Sequence, residues 1–297
     1  MKNILYYIFG FFILSSCSPN QDVNGDFLRG VEYDTSTNTG GGNGGSTTTR
    51  FLSKVSGVDS DGEKTTVDYI YTGSKLTSVK SQFDDGNENA VLTYNSNNQI
   101  THMDITNVES GETKLTKLDL VYDSGKLKSV SGTTESGGKL LYKSTTDITY
   151  SGEKVTKVLT KMNAEDPDNP GQFILEYEVT SNLTYAGNNI SNWKLATTTA
   201  SAGPITIPPI VIESALSNYD TNKNPFASLP LAYNILSTHY NTSNQGMLGL
   251  SANNYKTIKV TAMGMSQSLT MTYQYNSDSY PTEMTSNAGD KLNFLYK

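Results

Sequence analysis

The string I-T-Y-S-G-E-K-V-T-K-V, residues 148–158, returns in altered form five more times along the chain. The other copies read V-D-Y-I-Y-T-G-S-K-L-T-S-V at 67–79, L-T-Y-N-S-N-N-Q-I-T-H-M at 92–103 and L-V-Y-D-S-G-K-L-K-S-V at 120–130. Two later ones read L-T-Y-A-G-N-N-I-S-N-W at 183–193 and M-T-Y-Q-Y-N-S-D-S-Y-P-T-E-M at 271–284. Each has an apolar residue and a Tyr, then a turn of Gly, Ser, Asn or Asp, then two apolar residues at i and i+3. β-Branched and aromatic residues favour extended backbone, and S-G, D-S-G and G-N-N supply the positive φ of tight reversals, so each copy predicts a β-hairpin.

Alternation places Leu118, Leu120 and Tyr122 on one face and Asp119 on the other. Each repeat Tyr is therefore expected on a half-buried face with its hydroxyl near a wet rim. The pairs Leu76/Val79, Leu127/Val130, Val155/Val158 and Ile190/Trp193 have odd spacing, which in a regular strand sends their members to opposite faces. Their neighbours are Thr, Ser, Lys and Asn, so a β-bulge after each turn is the better reading.

The strings Tyr122–Leu127 (Y-D-S-G-K-L), Tyr275–Met284 and Tyr219–Phe226 (Y-D-T-N-K-N-P-F) resemble degenerate YD repeats of the RHS type. With the start of the chain, they resemble repeat-bearing lipoproteins of Bacteroidetes, including those with a domain of the DUF4595 type. The resemblance spans residues 50 to 297 and implies a fold more than an activity. The expected fold is all-β: an antiparallel meander of about a dozen strands, one strongly twisted sheet in which sequence neighbours pair. Six copies fall short of a closed shell, so the sheet is expected to roll towards a partly open barrel. A two-sheet β-sandwich is the alternative.

Residues 1–17 carry Lys2, the apolar run I-L-Y-Y-I-F-G-F-F-I-L and the ending L-S-S-C. A basic start, a short apolar stretch and small residues before a Cys form a signal peptide with a lipobox. The resemblance implies that Cys17 is the lipid attachment site. Its thioether and amide acyl chains would supply the two or more anchors that lasting membrane attachment needs. As the sole Cys, it excludes an internal disulfide and a Cys-based metal site. Residues 18–50, rich in Gly, Ser, Thr and Asn, read as a flexible tether.

Residues 51–297 read as a single all-β repeat domain with an irregular insertion at about 196–268. That interval holds I-T-I-P-P-I-V-I at 205–212, whose paired prolines suit an edge strand or cover. It also holds an N-P-F turn at 224–226 and P-L-A-Y-N-I-L at 230–236, which predicts a short helix near 229–237.

A net charge of −7, without an evident basic patch, argues against nucleic acid or an anionic membrane surface as partner. His102 and His239 read as ordinary surface or strand residues, with no acid spaced to orient them. Neither a nucleophile elbow nor a phosphate loop is present, so no catalytic, cofactor or metal site is assigned. The acidic strings at 59–63, 84–88 and 165–171 could offer oxygens to calcium but read as turns. Met247, Met263, Met265 and Met271 read as core filler. Stacking of sugars on the Tyr residues and Trp193 is weighed against cross-strand packing, which is preferred.

The functional expectation is a non-enzymatic outer-membrane lipoprotein, held through acyl chains on Cys17. It would act as a binding or structural module for a glycan or protein partner, on the periplasmic or surface face. The alternatives are a carrier of an apolar ligand in the rolled sheet and a carboxylate-based hydrolase.

Overall fold

The structure is a computed structural model that describes residues 50–200, 208–240 and 246–297. Residues 1–49 lie outside it, and with them Cys17, the signal peptide and nearly all of the tether.

The chain forms sixteen strands: β1 (Leu52–Val58), β2 (Lys64–Thr72), β3 (Lys75–Phe83), β4 (Gly86–Tyr94), β5 (Ile100–Glu109), β6 (Glu112–Asp123), β7 (Lys126–Ser136), β8 (Lys139–Ser151), β9 (Lys154–Glu165), β10 (Phe173–Ala186), β11 (Asn189–Thr199), β12 (Ile210–Ser217), β13 (Thr257–Ala262), β14 (Met265–Tyr275), β15 (Pro281–Ser286) and β16 (Lys291–Tyr296). Each pairs antiparallel with its sequence neighbours, and β1 pairs with β16, closing a barrel. Neither the partly open roll nor the sandwich describes this closed wall. The six repeat copies supply β2–β11, β14 and β15. The four strands without a copy, β1, β12, β13 and β16, complete the circumference.

All six repeat hairpins contain the expected bulge. The register steps from Ile70↔Ser78 to Tyr71↔Leu76, leaving Thr77 unpaired, and the same step leaves out Thr101, Lys128, Thr156, Ser191 and Thr282. One extra residue returns the i and i+3 side chains to the same face. Val155 and Val158 are accordingly both buried, at 2% and 0% exposure.

The bulge ends the ladder early, so the first carbonyl after each turn has no strand partner on its far side. A Tyr on, or just beyond, the next strand fills that gap at most corners. Tyr94 Oη donates to Leu76 O at 2.8 Å, Tyr185 Oη to Val155 O at 2.9 Å and Tyr296 Oη to Pro281 O at 2.7 Å. Tyr71 reaches Leu52 O, Tyr219 Ile190 O and Tyr273 Tyr255 O in the same manner. The repeat tyrosines thus face the lumen and reach back along the rim, a use of the hydroxyl that alternation alone does not reveal. Burial pushes Tyr94 and Tyr185 up to about 12, keeping them donors at neutral pH. The turn Lys before each apolar residue covers the following Tyr ring: Lys75 over Tyr94, Lys126 over Tyr150 and Lys154 over Tyr185.

These corners all lie at one end of the barrel, here the near end. In D-S-G-K, Ser124 and Gly125 take φ of +52° and +82°, the two-residue turn that suits twisted strands. The far end carries the alternate turns.

The wall is polar outside and apolar inside. Across β5–β10 the outward register row is His102, Asp119, Ser131, Thr145, Lys161 and Glu178. Facing inward from the same strands are Met103, Leu118, Ile148, Val158 and Leu183, all buried. A membrane-spanning barrel needs the reverse, an outward apolar band about 25 Å tall. This wall is not built to face lipid. No described helix is long and apolar enough to cross a membrane either.

Two tyrosine variants test the corner mechanism. Tyr94→Phe leaves Leu76 O without its donor and should lower stability by about 1 kcal/mol in denaturant unfolding. Tyr150 Oη is buried without a hydrogen-bond partner, so Tyr150→Phe should be neutral or stabilising in the same measurement.

Candidate functional site: the half-filled lumen

A sixteen-stranded wall ordinarily encloses a channel. Here the β12–β13 connection enters from the near end and fills that half. It runs through a 3₁₀ turn at Pro225–Ser228, helix α1 (Leu231–His239) and a second 3₁₀ turn at Gly246–Leu250. The helix lies two residues beyond its predicted span because Pro230, with φ −58° and ψ 135°, occupies the cap and not the first turn. Within the interval 196–268, the segment between Ser217 and Thr257 is the irregular part, and Ile210–Ser217 is a wall strand between β11 and β13. That strand is not the edge or cover the prolines suggested: Pro208 and Pro209 precede its first paired residue, where no ladder donor is required.

The plug touches opposite walls. Phe226 meets Phe294 of β16 edge-on, and Tyr233 meets Tyr69 of β2 edge-on at 6.4 Å between ring centres. On the other side His239 and Tyr240 join a hydroxyl chain on β8, β9 and β10. Trp193 Nε1 donates to Ser181 Oγ at 3.1 Å, and Ser181 Oγ lies 3.0 Å from His239 Nε2. His239 Nδ1 lies 2.8 Å from Thr160 Oγ1, which meets Thr146 Oγ1 at 2.8 Å; Thr146 and Ser144 both reach Tyr240 Oη. The indole can only donate, so Ser181 accepts from it, which leaves the Ser181 proton to be given to Nε2. A neutral imidazole then donates from Nδ1, and the chain runs on without two donors meeting. Burial holds His239 down at about 3, in keeping with that neutral form. Gly246 permits the close return of the plug, since a Cβ there would overlap Ser237 Oγ and Asn234 O.

Beyond the plug the inner face opens. Ile190, Leu216, Ile258 and Leu269 are buried against it. One step towards the far mouth Trp193 and Val260 are half-buried, and the next row, Leu195, Ile212, Ala262 and Met265, runs from half-buried to 66% exposed. Among the described residues these side chains, with the polar Ser214 and Gln267 in the Trp193 row, line the inner wall of β11–β14 without full cover, forming a largely apolar cup beyond the plug.

Several sequence expectations change here. His102 is indeed at the surface, but it has two acid partners: Asp119 across the strand pair at 2.8 Å and Asp104 two residues along at 3.1 Å. Hydrogen bonding to Asp119 raises its pKa. His239 is neither surface nor strand, because the plug carries it inside. Met247 and Met271 fill the core as expected, whereas Met263 and Met265 stand exposed at the far mouth. Trp193 faces the lumen, not the outer surface. The acidic strings 59–63, 84–88 and 165–171 all reach the far end, as turns in which Asp59 and Asp166 accept backbone N–H groups. Glu88, however, sits on β4 facing inward, 4% exposed, and burial pushes it up to about 8. Among the described residues no three His, Asp or Glu side chains converge as metal ligands.

No family model and no curated protein matches the chain. Among solved structures, it is similar to the crystal structure of a porin-like protein from Bacteroides uniformis, with a TM-score of 0.49 at 12% identity. The match covers 83% of this chain and 96% of that one.

Two pH experiments probe the lumen. His239 has a folded pKa below its unfolded value of about 6.5, so its contribution is present above pH 6.5 and lost as pH falls towards 3. His239→Asn should flatten the acid limb of a melting-temperature profile over that window. Glu88 is raised, so its neutral form is favoured below pH 4.5 and stability declines as pH rises through about 8. Glu88→Gln should leave melting unchanged at pH 4 and raise it at pH 8.5.

Proposed function

We propose that the protein is an envelope lipoprotein, anchored through acyl chains on Cys17, whose barrel is a non-enzymatic binding module with its ligand in the open half of the lumen. The observation that carries this reading is the polarity of the wall: with a polar outer face, the barrel needs a separate anchor to stay at a membrane, and L-S-S-C offers one.

The lumen favours an apolar ligand over a glycan. Sugar stacking needs free aromatic faces, yet the repeat Tyr hydroxyls are committed to backbone carbonyls and several rings lie under lysines. The uncovered part of the inner wall is Leu195, Ile212, Val260 and Ala262, which suits hydrocarbon. A hydrolase reading has little support, since the acids are dispersed over turns and Glu88 has an amide, Asn107, as its hydrogen-bond partner.

Labelled fatty acid should enter the wild-type chain in cells and not the Cys17→Ala chain, which should also leave the membrane fraction. Label in the mutant, or an unlabelled wild type, would remove the lipoprotein reading.

A further inference from the structure

Net charge hides a strong asymmetry between the two ends of the barrel. The far-end turns read D-S-D-G-E at 59–63, D-D at 84–85, E-S-G-E at 109–112 and E-D-P-D at 165–168. Their fields overlap: Asp59 foremost, then burial, Asp84 and others raise the pKa of Glu63. The near-end corners are more balanced: they present Lys75, Lys126, Lys154 and Lys297 beside Asp123, Glu153 and Asp278, which pair with Lys128, Lys126 and Arg50. The apolar cup therefore opens through the acidic end.

The interior near that mouth has the same sign. Glu176 lies at the bulge between Leu175 and Tyr177 on β10, and Tyr142 hydrogen-bonds to its carboxylate. Its Oε2 is buried without a hydrogen-bond partner. Tyr142, Tyr177 and Trp193, all inward-facing, add ring faces of the kind that attract cations. Lys64, Lys139 and Lys291 share this rim, Lys139 pairing with Glu165, but acids outnumber them, and a low-dielectric wall under a rim of net negative charge concentrates cations.

Resting on the reading that the open half-lumen binds an apolar ligand, we infer that this ligand is an organic cation: a hydrocarbon body against Leu195, Ile212 and Val260, with its positive group towards Glu176 and the acidic rim. Anionic amphiphiles meet the same wall but are repelled at the mouth. Of cationic, neutral and anionic amphiphiles only the cation brings a counter-charge to the Glu176 carboxylate.

Trp193, the single Trp of the chain, reports on the site directly. Full-length protein in zwitterionic vesicles is titrated with hexyltrimethylammonium, hexanol and hexyl sulfate while its emission is followed. The cation should give a saturable change with affinity at least about tenfold above that of the alcohol, an advantage that salt reduces. The sulfate should bind more weakly than either. Glu176→Gln, checked for an unchanged melt, should cut cation affinity severalfold and leave hexanol unaffected. Leu195→Asn, checked likewise, should weaken all three. Equal affinity for cation and alcohol, or a preference for the sulfate, overturns the charge inference and leaves the apolar lumen standing. Failure of every probe to move the emission overturns both.

Discussion

The barrel depends on the pairing of an unbonded carbonyl with a tyrosine hydroxyl at most near-end corners, the Leu127 corner, where Tyr150 Oη has no partner, being the exception. The bulge after every turn is needed to bring both post-turn apolar residues inside, but it shortens the ladder by a residue. A buried carbonyl left in that condition costs about as much as a lost hydrogen bond. The Tyr of the next strand removes the cost, and at three corners a turn Lys covers the ring. Turn, bulge, Tyr and Lys are thus one device. The β16–β1 junction repeats it without a turn: Leu52 and Val55 are both buried, the register shifts between Leu52 and Lys54, and Tyr71 caps Leu52 O.

Much of this wall was legible in the sequence because the bulge has an odd-spaced signature, as in Leu127/Val130, that a regular strand cannot explain. Closure was not legible. The strands that finish the ring carry no copy of the repeat, and β12 begins behind two prolines that ordinarily mark an edge. The lumen was hidden for a different reason. His239 and Tyr240 meet Thr160, Thr146 and Ser144 from about eighty or more positions away, and no local spacing encodes that contact. Composition misled on charge as well, since −7 is an average over an acidic far end and a near end whose charges largely pair.

Outside polar and inside apolar, the wall resembles an ordinary core wrapped around itself more than a pore. The plug supplies what sixteen strands cannot, buried side chains inside the enclosed space. Its polar latch on β8–β10 and its aromatic contacts on β2 and β16 hold it across the lumen. Among the described residues the inner face of β11–β14 keeps apolar surface without full cover, and there a ligand would gain most from leaving water.

The seam between β1 and β16 has a kinetic meaning. Fifteen of the ladders join strands adjacent in sequence, so hairpins can form locally and extend the sheet one at a time. The sixteenth joins the two extremes of the barrel chain. By loop-closure scaling it costs only about 2 kcal/mol more than a loop a tenth as long. The burden lies in time rather than energy: until the seam closes, β1 and β16 are open edges able to pair with another molecule. Lys54 on one edge and Lys291 on the other put charge where such pairing would begin. The last ladder to form is also the one whose delay exposes the chain to aggregation.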